Sequence, residues 1–238
     1  MMERSWIPYC GAAPLPGDWL ARWNGDPWLL LALGLIAFLG LRRDVAPPFW
    51  AAMGMLILLF ISPLCAMSSA LFSVRVAHHL LLTAVAAPLL LWGMPRFVVR
   101  GSAALWAALH ILLFWFWHAP APYAAALSND LFFWAMQLSL LASAVAFWGA
   151  LRRVSSPTAI LLLLAMMVQM GLLGALITFA GAPLYAPHYA TTMVWGLTPL
   201  EDQQLAGLIM WAPAAAFYLG AALWRGWHML GPPSGARA

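Results

Sequence analysis

The chain has 238 residues, of which 65% are apolar and 8% charged, and its mean hydropathy is +0.87. A soluble domain carries about 25% charged residues, so these numbers exclude a soluble globular protein and point to one polytopic membrane bundle. The net charge of +4 comes from arginines without a single lysine, too sparse and scattered for nucleic-acid binding.

Residues 1–26 read as an irregular arm rich in Trp, Pro and Gly, lacking the apolar core of a signal peptide. Asp26-Pro27 is a helix start, with the carboxylate as cap and proline at the first helical position. The first segment is expected over 27–41, short for a crossing that needs about 20 residues. Arg42-Arg43 close it, and Pro47-Pro48 turn the chain into a second segment, 49–68, with Pro63 near its far end. The third is SVRVAHHLLLTAVAAPLLLWGMP, residues 73–95. A short loop with Arg96 and Arg100 leads to the fourth, 102–118, which ends in Phe114-Trp115-Phe116-Trp117-His118. Residues 119–129, with Pro120, Pro122 and Tyr123, read as a loop. The fifth segment runs from Asn129-Asp130 to Arg152-Arg153, and the sixth from Pro157 to near Ala180. A long loop, 181–200, precedes the seventh, which starts near Glu201-Asp202 and continues past Pro213 to Trp224. The expected fold is therefore all-α, a single bundle of seven transmembrane helices over 27–230, with a tail at 231–238.

Arginine placement orients the bundle. Loops one–two, three–four and five–six and the tail hold Arg42, Arg43, Arg96, Arg100, Arg152, Arg153, Arg225 and Arg237; the other side holds Arg4, Arg22 and Arg75. The N-terminus is expected outside and the C-terminus cytoplasmic, in a bacterial inner membrane.

That topology collects ligand-type side chains at the outer face. His78 and His79 lie just inside the third segment, and His118 ends the fourth. Cys65 and Met67 end the second, His188 lies in the outer loop, and Asp130, Asp202 and Gln203 open the fifth and seventh. Imidazole, thiolate and thioether together suit copper, and the soft donors favour Cu(I). The site expected is His79 with His118, completed by His78, His188, Met67 or Cys65, with Asp202, Gln203, Tyr123 and Asp130 as polar contacts. Adjacent His78 and His79 point about 100° apart on a helix, so they do not easily share a centre. Plainer readings stand beside this. His110 can hydrogen-bond a neighbouring helix, His118 can anchor at the interface among tryptophans, and His188 can be a surface residue. Asp202 can favour its own helix N-terminus. Cys10 and Cys65 form no CxxC, so neither a disulfide scaffold nor a cysteine-only metal framework is expected; Cys10 can accept a metal from a carrier or be incidental. Met166, Met167 and Met170 read as packing.

SVRVAHHLLLTAVAAPLLLWGMP at 73–95, FWHAPAPYAAAL at 116–127, LEDQQLAGLIMWAP at 200–213 and the arm at 8–27 resemble the CtaG-type cytochrome c oxidase assembly proteins. The resemblance implies a seven-helix membrane protein that matures a haem–copper oxidase by assisting copper delivery or subunit assembly. Its partners would be oxidase subunits and periplasmic copper carriers. By that match His79, His118 and Asp202 are the characteristic polar residues. Where many members carry a further histidine four residues before the one matching His79, this chain has Arg75. Nothing resembles a nucleophile–base pair or a phosphate loop, so ligand exchange rather than enzyme catalysis is expected. Three rivals remain: a bis-histidine haem redox protein, opposed by the greater depth expected for His79 than for His118; a transporter, with His110, Gln137 and Gln169 as its only path; and a scaffold without metal.

Overall fold

The computed structural model describes residue 6 and residues 8–230, and the described residues form helices without any strand. The tail expected at 231–238 and Arg4 lie outside them.

Helix α1, Pro27–Arg42, begins as the sequence indicates. Asp26 accepts from the backbone N–H of Trp28 at 2.7 Å and of Leu29 at 3.1 Å, satisfying donors that the first turn leaves without helical partners. It buries only Leu29, Leu33 and Gly40 and leaves Leu30, Leu31, Leu35 and Phe38 exposed.

The second segment is not one helix. It divides into α2, Pro48–Phe60, and α3, Leu64–Ala70, bent by 44°. Pro63 is the cause, because proline in a helix interior has no N–H to donate and its ring crowds the preceding turn. Ser62 occupies the break and donates its hydroxyl to the Leu58 carbonyl at 2.5 Å.

Helix α4, Phe72–Gly93, is the most buried of the long helices. A wider turn over Leu81–Ala86 interrupts it just ahead of Pro88. A π-type turn of this kind absorbs an extra residue in the hydrogen-bond ladder, and Thr83 donates its hydroxyl to the His79 carbonyl there at 2.8 Å.

Helix α5, Ala103–His118, is followed by a helix where the sequence suggested a loop. Helix α6, Pro120–Ala126, turns away from it by 78°. Pro120 permits this because it sits at the first helical position, where an N–H has no helical partner in any case. Helices α7, Asp130–Leu151, and α8, Ser156–Thr178, follow the expected bounds, with Asn129 capping α7 through Leu131 and Phe132. Helix α9, Pro199–Leu230, runs six residues past the expected end at Trp224. It packs along α8 where Gly174 and Gly207 meet: a Cβ on Gly207 would stand 2.5 Å from the Gly174 carbonyl oxygen. Small residues let helix backbones approach this closely in a membrane.

Four helices, α4, α7, α8 and α9, are long and apolar enough to cross a membrane, and six crossings result if each bent pair counts as one. Helix α1, with 16 residues, is shorter than these. By length and composition the described residues thus offer four to six candidate membrane-spanning helices, and the seven of the sequence reading require α1 to be added.

Candidate functional site

Most polar residues buried in the bundle gather at one end, built from α3, the start of α4, the end of α5, α6, the segment 179–198 and the facing parts of α7 and α9, whereas His110 and Ser143 pair elsewhere. The opposite end carries Arg96, Arg152, Arg153 and Arg225. These are called the histidine end and the arginine end below.

His79 and His118 are both buried, and their rings meet edge to face, with Nδ1 of His79 3.4 Å from Nε2 of His118. Their outer nitrogens are also engaged. His118 Nδ1 stands 2.7 Å from the Phe114 carbonyl oxygen, and the Gln137 amide nitrogen stands 3.3 Å from His79 Nε2. One tautomer set satisfies every contact. His118 carries its proton on Nδ1 and donates to Phe114; His79 carries its proton on Nδ1 and donates to His118; Gln137 donates to His79. The result is a neutral chain of three hydrogen bonds crossing α7, α4 and α5, which suits a low-dielectric interior. The greater depth expected for His79 than for His118 does not keep the two rings apart. Helix α6 and the segment 179–198 fold over the end of α5, and the Tyr185 hydroxyl donates to the His118 carbonyl at 2.7 Å, so His118 is an interior residue rather than an interface anchor.

The remaining candidates go elsewhere. His78 donates from Nε2 to the Leu59 carbonyl at 3.1 Å, facing α2, and its ring packs edge-on against Phe60. His188 is buried, not a surface residue. The Tyr123 hydroxyl donates to its Nε2 at 2.7 Å, and its Nδ1 reaches the Ala70 carbonyl at 3.3 Å. Burial pushes the His188 pKa down to about 3, and nearby Arg75 acts in the same direction. Met67 is half-buried on α3.

Cys65 corrects two expectations. Its sulfur is bonded to Cys10, 55 residues earlier, so Cys65 offers no thiolate to a metal and Cys10 offers none to a carrier. A disulfide does tie the arm to α3. Asp130 is exposed in the first turn of α7 and takes no part in the cluster. Asp202 sits in the first turn of its own helix, as expected, and its oxygens also serve another. It accepts from the N–H of Phe72 at 2.7 Å and of Ser73 at 3.2 Å, and from the Ser73 hydroxyl. It therefore caps α4 from α9, across 130 positions of sequence. Gln203 fastens the segment 179–198 by accepting from Leu184 N–H at 2.6 Å and donating to the Ile177 carbonyl at 3.1 Å. His110 takes the plainer reading, hydrogen-bonded to Ser143 at 2.8 Å.

Sequence reasoning placed Gln137 on a transport path and Tyr185 only in the outer loop; both support the histidine pair. The signal for Gln137 was an amide in an otherwise apolar helix. Arg75 was read for orientation, yet it is fully buried on α4 one turn before His79.

The donor set limits what the site can hold. Two imidazole nitrogens facing one another suit a soft monovalent ion. Among the described residues, however, no three His, Cys, Asp or Glu side chains converge as metal ligands. The pair is hydrogen-bonded within itself, and Arg75 places a fixed positive charge beside it. A resident metal centre is a poor fit; a cation in transit needs only the pair.

No curated protein and no solved structure matches the chain. The family model for cytochrome c oxidase caa3 assembly factors, CtaG, matches residues 35–231, from α1 through the end of α9. That span covers every element of the histidine end except the Cys10 arm, and the chain therefore belongs to the cytochrome c oxidase caa3 assembly factor family.

Proposed function

We propose that the protein assists maturation of a haem–copper cytochrome c oxidase in a bacterial inner membrane, working at its histidine end, which faces the periplasm. Its role is assembly rather than catalysis, and its partners are oxidase subunits. The observation that carries the site is the pairing of His79 and His118 across two helices, with Gln137 behind it. A histidine within hydrocarbon is costly and marks function by default.

Two features support the orientation. The arginines gather at the opposite end, as cytoplasmic loops do. The Cys10–Cys65 disulfide lies at the histidine end, and disulfides persist in oxidising compartments such as the periplasm. With α1 counted as a crossing, the bundle has seven and its N-terminus is periplasmic.

Copper enters this reading as cargo: the pair takes Cu(I) and yields it by ligand exchange to an oxidase subunit. A second reading, a scaffold without metal, is favoured by the hydrogen bonds that already satisfy the pair and by the charge of Arg75. Copper content per chain under reducing conditions separates them. Copper retained by the wild type after Cu(I) loading, and lost in His79→Ala/His118→Ala with helical content unchanged, supports cargo handling. Equal and negligible copper in both leaves the scaffold.

A further inference from the structure

Arg75 has no acceptor. Its side chain is 0% exposed, and Nε, Nη1 and Nη2 all lack a hydrogen-bond partner among the described residues. Its guanidinium carbon lies 5.3 Å from the centroid of the Phe133 ring. That cation–π contact stabilises the charge once it is desolvated. Removing an ion of this size from water costs more than one such contact returns, and guanidinium does not shed its proton. The ring therefore offsets only part of the cost.

No carboxylate supplies the rest. The ion pairs among the described residues are Arg22–Asp18 and Arg96–Asp44. Asp202 of α9, which caps the start of the helix carrying Arg75, holds the N–H groups of Phe72 and Ser73 with its two oxygens. The Tyr123 hydroxyl lies against the guanidinium, but it is a neutral group whose proton goes to His188, so it leaves the charge of Arg75 uncompensated. A water molecule would accept from the guanidinium yet leave its charge uncompensated.

We propose that Arg75 forms a buried anion site at the histidine end, taking one compact monovalent inorganic anion of the chloride class. The occupant is compact because the side chains around the guanidinium, Phe133, Tyr123, His78 and His79, are themselves closed to solvent. Charge and donors agree: one positive charge, and the two parallel N–H groups of a guanidinium edge, are available to a single small anion, and no carboxylate compensates them. The site is independent of the copper reading, because it needs neither imidazole to bind a metal.

The test is the thermal unfolding midpoint of the purified full chain at constant ionic strength, with gluconate, too large to enter, exchanged for chloride. The wild type is expected to gain several °C, roughly, and to saturate, because a ligand held by the folded state alone stabilises it by mass action. Bromide is expected to substitute for chloride. Arg75→Gln is expected to lose the chloride response, while Arg75→Lys, which keeps the charge, retains part of it. Equal midpoints of the wild type in both anions overturn the proposal, as does a full response in Arg75→Gln. Should Arg75→Gln fail to fold, anomalous scattering from wild-type crystals grown in bromide decides: a peak beside Arg75 supports the site, and its absence there overturns it.

Discussion

The two ends of the bundle use polar side chains in opposite ways. At the histidine end they are buried and bond across elements distant in sequence: Asp202 to Phe72, Tyr123 to His188, Gln137 to His79. At the arginine end the charges sit near the rim. Arg96 meets Asp44 at 3.2 Å with both side chains at least 80% exposed, and Arg153 and Arg225 donate to the Val99 and Leu151 carbonyls. Burial at the histidine end makes an unpaired polar group costly, so the contacts made there favour one arrangement of helices, and Arg75 stands out as the exception.

The comparison can be broken at the histidine end first. Cys10→Ser or Cys65→Ser opens the link over 55 positions, and loop entropy puts the loss at roughly 4 kcal/mol at most. Denaturant unfolding with and without reductant is expected to show the wild type falling to the variant's stability when reduced, and the variants unmoved. Asp202→Ala comes next. It leaves the Phe72 and Ser73 donors buried without an acceptor, at about 3 kcal/mol for bonds to a charged group. Asp202→Asn, which keeps an acceptor, is expected to recover much of that in the same unfolding assay.

Acid sharpens the contrast further. The folded pKa of His188 lies near 3, below an ordinary value of about 6.5. The unfolded chain therefore binds the proton first. The contribution of His188 is intact above about pH 6.5 and is lost as pH falls from there towards 3, about 2 kcal/mol by pH 5. Stability measured from pH 7 to pH 5 is expected to fall less in His188→Asn than in the wild type by that difference. At the arginine end, Arg96→Gln is expected to leave the unfolding midpoint unmoved, because exposed ion pairs contribute little. A large loss there would end the contrast between the two ends.

Much of this was legible in the sequence, for a physical reason. A polar residue in an apolar helix stands out whatever its partner, so His79, His118, Asp202 and Gln203 were visible as a set. Capping is local, so Asp26-Pro27 fixed the start of α1. The losses occurred where partners come from far away. Asp202 obeys a local rule that would have it favour its own helix, yet tertiary packing delivers its oxygens to α4. Cys10 and Cys65 share no motif, and only the folding of the arm against α3 brings them together. The depths of His79 and His118 were read from straight helices and a loop at 119–129. The turned helix α6 and the covering segment 179–198 are invisible to such a count. Pro120 and Pro122 read as loop residues, although a proline also begins a helix.

The most direct test of the histidine end is oxidase maturation in cells that lack their own copy of this protein and are complemented with its variants. His79→Gln/His118→Gln is expected to leave the protein in the membrane at wild-type amounts while assembled, active cytochrome c oxidase falls to the level of the uncomplemented cells; Arg96→Gln is expected to restore it fully. Normal oxidase in cells carrying His79→Gln/His118→Gln would contradict the assignment of function to this pair.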